Sequence, residues 1–71
     1  MNTMVEIVDA NGNPMLVIGG VDPDSEKVYV HSVRVLTPHG VIDVDEDQIV
    51  LIRYQYSDIL RHKFKEQGGL M

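Results

Sequence analysis

The segment from Val41 to Ile52 constrains the fold of this chain more than any other stretch. An apolar segment begins it, an acidic turn interrupts it, and four consecutive apolar residues, Ile49 to Ile52, end it. That run is short, rich in β-branched residues and bounded by polar ones, which is typical of a strand buried on both faces. We therefore expect Ile49–Ile52 to lie inside a rolled β-sheet as its central strand.

The length of the chain limits how much surface it can bury. Its 71 residues predict a single domain over residues 1–71, and they include no cysteine. A domain of this size buries roughly 60% of the surface that its unfolded chain exposes, so its stability margin is thin. Neither a disulfide nor a thiolate metal site can supplement the core. We therefore keep a protein partner or a second copy of the chain open as a source of further burial.

The formal net charge of −5 is unevenly distributed. Residues 1–52 hold nine acids and two bases, giving −7, whereas residues 53–71 hold two acids and four bases, giving +2. An acidic body disfavours general binding to the phosphate backbone of nucleic acid. No apolar run approaches the ~20 residues of a membrane span, and no signal peptide is evident. We expect a soluble, cytoplasmic protein without a membrane partner.

Turn-forming residues divide residues 4–53 into five strand signals. Asn11-Gly12, Pro23 and Gly40 mark three of the turns, because glycine and asparagine accept positive φ and proline fixes φ. The five predicted strands are Met4–Val8, Met15–Ile18, Lys27–Leu36, Val41–Val44 and Gln48–Arg53, with Asp45–Asp47 as a single helical turn before the last.

The third strand signal changes its buried face along its length. Val28 and Val30 alternate in one phase, whereas Val33 and Val35 alternate in the other. Side chains alternate strictly along a regular strand, so a one-residue change of phase requires a bulge or a bend. We expect this irregularity near Ser32.

The end of the chain has a different period. Tyr56, Ile59, Leu60 and Phe64 follow at spacings typical of one side of a helix. We predict a C-terminal α-helix over about residues 57–67, ended by Gly68-Gly69. A helix this short is unstable alone in water, so its apolar side must pack on the sheet or on another molecule.

The arrangement of turns resembles that of a known class of small barrel. The turn at residues 9–14, the turn and strand start at residues 22–28, Gly40 and the acidic turn are similar to the layout of SH3-like and PRC-type barrels. The likeness covers about residues 4–53. It implies a mainly β fold, namely a five-stranded SH3-like small barrel with a C-terminal α-helix. SH3-like barrels are mostly binding modules, but fold alone does not select the ligand.

Two clusters of side chains could in principle hold a metal. Asp43, Asp45, Glu46 and Asp47 offer the oxygen ligands of a hard cation, but the glycine and terminal glutamate of an EF-hand are missing. His31, His39 and His62 would need to converge to bind zinc, although they come from a strand, a turn and a helix. We favour solvated turns and surface histidines, and expect neither a metal site nor a cofactor.

Residues for covalent or acid–base catalysis are not arranged in any recognisable motif. Ser25, Ser32 and Ser57 occupy no nucleophile elbow, and paired carboxylates in an exposed turn lack separated pKa values. Gly19-Gly20 lacks the lysine and the helix of a phosphate-binding loop. We therefore predict that the chain is not an enzyme; a metal-dependent enzyme using Asp43–Asp47 is the least favoured hypothesis.

One group of residues at the start of the C-terminal helix has binding character, since tyrosine and arginine are favoured at interface centres. Its members are Arg53, Tyr54, Tyr56, Arg61, His62 and Lys63. The competing interpretation is structural: a tyrosine packs the helix onto the sheet, and the cations stabilise the helix end.

The preferred functional hypothesis is a non-catalytic protein-interaction or assembly module. The size and acidity of the chain are also typical of a small phage or mobile-element accessory protein that binds a host protein. The alternative is a nucleic-acid or nucleotide binder that uses the basic strip from Arg53 to Lys65.

Overall fold

The computed structural model describes residues 2–67, which form four strands and two helices. Their bounds are β1 Thr3–Val8, β2 Pro14–Val21, β3 Val28–Thr37, β4 Gly40–Asp43, α1 Glu46–Gln55 and α2 Ser57–Glu66. The chain is thus mainly β, as predicted. The predicted helix end at Gly68-Gly69 lies outside the described residues.

The four strands form one open antiparallel sheet in the order β1-β2-β3-β4. The predicted turns join them: Pro14 begins β2, and Gly12 and Gly40 adopt positive φ of 84° and 129° in their turns. The Asp9 carboxylate accepts hydrogen bonds from the backbone N–H groups of Asn11 and Asn13 at 2.9 and 2.8 Å. Local sequence therefore determines where each hairpin turns.

The predicted irregularity in β3 is confirmed. Ile18 pairs with Ser32 but Gly19 pairs with Val30, so His31 is the extra residue of a β-bulge. The bulge restores one continuous buried face, with Val28 on one side of it and Val33 on the other, both buried. The change of phase in the sequence is therefore the signature of this bulge.

The prediction of a fifth strand over Gln48–Arg53 is wrong, because these residues lie in α1. Within the apolar run, Val50 and Leu51 are 53% and 56% exposed. Ile49 and Ile52, three residues apart, are instead half-buried against the core, and α1 packs on β3. Residues three apart lie on the same side of a helix, and the acids Glu46 and Asp47 in the first turn of α1 interact favourably with the helix dipole.

Without a fifth strand the sheet does not close, and the predicted five-stranded barrel is not observed. Both helices pack on the same face of the sheet: α2 contacts β1, β2 and β3, and α1 contacts β3. Neither helix within residues 2–67 is long and apolar enough to cross a membrane.

The core lies between the sheet and the helices. Leu60 and Phe64 of α2 are fully buried, as the predicted C-terminal helix required, whereas Ile59 is 46% exposed. The other buried apolar side chains come from β1, β2 and β3: Val5, Ile7, Met15, Val17, Val21, Val28 and Val33. The helix α2 is therefore an integral part of the fold.

Candidate functional site

The junction between α1 and α2 separates the two tyrosines that the sequence singled out. Tyr56 connects the helices: its N–H donates to Ile52 and its carbonyl oxygen accepts from Leu60, both at 2.9 Å. Its side chain is half-buried against the core, whereas that of Tyr54 is 84% exposed. Tyr56 therefore has the structural role of packing the helices onto the sheet, and Tyr54 is presented to other molecules.

Three of the predicted binding residues lie together. Arg53, Tyr54 and Arg61 line a shallow groove of about 360 Å³. Its other lining residues are Lys27 and Val28, where the β2–β3 loop meets β3, and Ser57 at the start of α2.

A second, more apolar groove begins on the other side of Tyr54. Leu51, Gln55 and Ser57 line it together with Tyr54. Tyr54 and Ser57 thus belong to both grooves, which form one continuous surface. We call this the Tyr54 surface and define it as Lys27, Leu51, Arg53, Tyr54, Ser57 and Arg61.

The Tyr54 surface is positively charged on an otherwise acidic protein. Lys27, Arg53 and Arg61 line its first groove, and among residues 2–67 no carboxylate side chain lines it, although Asp58 lies beside it in an ion pair with Arg61. Arg61 is held in place because its Nε donates to the carbonyl oxygen of Glu26 at 2.8 Å and its Nη1 to the Asp58 carboxylate at 3.0 Å. The surface therefore combines a rigidly placed guanidinium with an exposed aromatic ring.

The loop between β2 and β3 is fixed to α2 by a second contact. The Lys65 ammonium forms an ion pair with the Glu26 carboxylate. The hydrogen bond from Lys65 and the Lys65 charge lower the pKa of Glu26; burial opposes them, and the charge of Arg61 adds a weaker lowering. Because Lys27 is the next residue, this pair helps to place Lys27 beside the helices.

The remaining predicted binding residues lie elsewhere. His62 pairs with Glu66 one turn along α2, with 2.7 Å between Nε2 and Oε1. Lys63 lines a different groove, at the edge formed by Met4 and Glu6 of β1. Neither residue therefore contributes to the Tyr54 surface.

The acidic cluster and the histidines are spread over the fold. Asp43 ends β4 and forms an ion pair with Arg34, with 3.1 Å between Oδ1 and Nε. The acids of residues 45–47 precede or begin α1. Among residues 2–67 no three histidine, aspartate or glutamate side chains are grouped so as to hold a metal ion.

A cleft of opposite charge lies between the β1–β2 turn, β4 and α1. Its volume is about 520 Å³, and its apolar lining includes Met15 and Ile52. Asp9, Asp43 and Asp45 line it as well, without any basic residue. The protein thus has a basic surface and an acidic cleft on different sides of α1.

Sequence reasoning missed Lys27, Leu51 and Ser57. Leu51 and Tyr54 are three residues apart, a spacing that would have placed them on one face had α1 been predicted. Lys27 carries no such signal, because only the packing of the β2–β3 loop against α2 brings it to Arg53.

No family model, curated protein or solved structure matches this chain.

Proposed function

We propose that this chain is a non-catalytic protein-interaction domain that docks an acidic, partly apolar segment of another protein on the Tyr54 surface. The proposal rests on the exposure and position of Tyr54. This residue is 84% exposed and lies between Leu51 and the cations of the first groove. A tyrosine contributes a large contact area at low entropic cost, and tyrosine and arginine dominate binding energy at interfaces.

The charges of the surface define the chemistry of the partner. An apolar side chain of the partner would cover Leu51 and the Tyr54 ring, while neighbouring carboxylates would meet Lys27, Arg53 and Arg61. The acidic body, with −7 over residues 1–52, repels a longer polyanion. A short segment with a few acids beside an apolar anchor therefore fits better than an extended acidic chain.

The resemblance to SH3-like barrels supports a binding role by analogy, since members of that class are mostly binding modules. That resemblance concerns the strand-and-turn layout of about residues 4–53 and remains a prediction. The docking proposal depends on the Tyr54 surface, which the helices and the β2–β3 loop build.

Fluorescence anisotropy with synthetic peptides tests the proposal. One set of peptides combines leucine or phenylalanine with aspartate and glutamate; a matched set replaces every acid by lysine. We expect the acidic set to bind, more weakly as salt rises, and to lose affinity about tenfold or more with Tyr54→Ala or Arg53→Ala. Val50→Ala, an apolar truncation on α1 at a residue that is 53% exposed and lines neither groove, is the control and should leave binding unchanged.

Two results would contradict the proposal. If acidic peptides bind the Tyr54→Ala and Arg53→Ala variants as tightly as they bind the unaltered chain, the Tyr54 surface is not their binding site. Preference for the lysine set would instead indicate the acidic cleft beside Met15 and Ile52. Point variants are required, because deletion of α2 would take Leu60 and Phe64 out of the core.

Nucleic-acid or nucleotide binding is the second candidate, favoured by the convergence of Lys27, Arg53 and Arg61 beside an exposed tyrosine on which a base could stack. Titration of labelled single-stranded DNA and RNA at low salt tests it. Counterion release helps binding most under those conditions, so the absence of binding there would eliminate this candidate.

A further inference from the structure

Within residues 2–67, neither helix covers one face of the sheet, apart from a groove that the end of α2 shares with Met4, Glu6 and Leu16. The helices cover the face that carries Val17 and Val33, and every buried side chain in the sheet belongs to that face. We call the opposite side the open face and define it by the strand registers. Its residues are Met4, Glu6 and Val8 of β1, Pro14, Leu16, Ile18 and Gly20 of β2, Tyr29, Ser32, Arg34 and Leu36 of β3, and Val41 and Asp43 of β4.

The open face is unusually apolar for a solvated surface. Sheets with one face in water normally alternate apolar and polar residues, with polar residues outward. Here Met4 and Val8 are each 58% exposed and Val41 is 62% exposed. Leu16 and Ile18 lie between them at the centre. Contiguous exposed apolar patches commonly mark interaction sites.

The charges on this face form a single row across the sheet. Glu6 pairs with Leu16, Leu16 with Arg34, and Arg34 with Asp43, so the row reads acid, apolar, base, acid from β1 to β4. Strands lie about 4.8 Å apart, which places Glu6 about 10 Å from Arg34 on the same sheet. The ion pairs found among residues 2–67 do not include Glu6.

This row is complementary to itself. If a second copy lies face to face with its two-fold axis along β2, then β1 of each copy faces β3 of the other. Glu6 of one copy then meets Arg34 of its partner, twice by symmetry, and Leu16 meets Leu16. An axis across the strands would instead bring Glu6 against Glu6. Both axes keep the strands of the two sheets aligned, with their faces about 10 Å apart, so the contact of Glu6 with Arg34 is what favours the axis along β2.

We propose that the open face is the interface of a symmetric homodimer in which Glu6 pairs with Arg34 of the second copy around a Leu16 contact. Arg34 is accessible for this role, because its side chain is 62% exposed while it contacts Asp43. Lys63 and Glu66 of α2 line a groove with Glu6 and Leu16 and add one charge of each sign there, so they leave the acidic character of that edge unchanged.

The size of the face predicts a reversible dimer. With β2 on the axis, three strands of each copy overlap; about 4.8 Å apart and about six residues long, they present roughly 300 Å² of flat area per copy. Stable interfaces bury about 800 Å² per partner, so this one falls in the weak range. Association should therefore depend visibly on protein concentration.

Sedimentation equilibrium of the full chain, from low micromolar to millimolar concentration, tests the proposal. We expect a monomer–dimer equilibrium. The Glu6→Lys substitution places an ammonium against Arg34, and Arg34→Glu places a second carboxylate against Glu6, so each variant alone should weaken association roughly tenfold or more. An equimolar mixture of the two variants should associate again, because both contacts between unlike copies are then attractive.

The controls separate this interface from the Tyr54 surface and from misfolding. Tyr54→Ala should leave dimerisation unchanged, and circular dichroism should show the same fold in both charge variants. Strict monomers at the highest concentration would overturn the proposal. So would a variant mixture that associates no better than either variant alone. Neither outcome bears on the docking proposal, which concerns different residues.

Discussion

Gly19 and Tyr29 approach each other so closely across the β-bulge that no side chain fits at Gly19. A Cβ atom built there would collide with the carbonyl oxygen of Tyr29 and lie 3.0 Å from the Cα of Val30. The obstacle is backbone, which cannot move away as the end of a flexible side chain could. The bulge that continues the buried face of β3 therefore requires glycine on β2.

Gly19→Ala should accordingly destabilise the protein by about 2 kcal/mol or more, as overpacking of rigid structure does. Gly12→Ala is the matched comparison: nothing lies within 4 Å of its Cβ position, and only its φ of 84° is unfavourable for alanine. We expect about 1–2 kcal/mol there. Urea denaturation measures both values. A smaller loss at Gly19 than at Gly12 would show that the bulge can relax.

Truncation of a buried side chain on α2 should cost far more stability than truncation of an exposed side chain on α1. Leu60→Ala and Phe64→Ala remove fully buried side chains and should cost about 2–5 and 3–5 kcal/mol. A 71-residue domain has roughly 4–10 kcal/mol in total, so the loss at Phe64 should take about a third of that stability or more. Leu51→Ala on α1 should stay within about 0.5 kcal/mol. If thermal melts showed a larger loss for Leu51→Ala than for the two α2 variants, the Ile49–Ile52 run would have to be buried in the core.

Substitution of the two tyrosines at the helix junction should also have unequal effects on stability. Tyr56→Ala removes a half-buried ring that packs the helices onto the core and should lower stability by about 1–3 kcal/mol. Tyr54→Ala should change stability by no more than about 0.5 kcal/mol, since Tyr54 is 84% exposed. Denaturant midpoints measure both. Equal losses would mean that Tyr54 also supports the fold.

Stability should depend on pH through Glu26. Lys65 lowers the pKa of Glu26 in the folded state, so its contribution is complete above its usual value of 4.5 and is lost as pH falls through the lowered value. The Glu26→Gln variant should therefore be less stable than the unaltered chain at neutral pH and equally stable in strong acid. The effect is small, because the pair is exposed, and salt should reduce it.

Lys65→Gln provides the control for that pH dependence. Once the ammonium is removed, the effect of Glu26→Gln on stability should shrink to the smaller contribution of Arg61, when thermal melts of the unaltered chain, the two single variants and the double variant are compared. An effect of Glu26→Gln that is undiminished without Lys65 would assign the pH dependence to another group.

The sequence by itself determined the features that arise from neighbouring residues. Asn11-Gly12, Pro14 and Gly40 determined the positions of the turns, because few other residues adopt the required backbone angles. The change of phase between Val30 and Val33 predicted the bulge. The spacing of Leu60 and Phe64 predicted α2 and its burial. Each of these signals extends over enough residues to show a turn, a strand period or a helical period.

The state of residues 48–53 was decided only by the tertiary structure. A run of four apolar residues has no polar interruption from which to read a period, so β-branched composition favoured a strand. The docking of Ile49 and Ile52 on β3 stabilises the helix instead, since packing overrides intrinsic propensity. The meeting of Lys27 with Arg53 likewise depends on the β2–β3 loop contacting α2. Both outcomes rest on contacts between distant residues, and the order of residues along the chain does not encode such contacts locally.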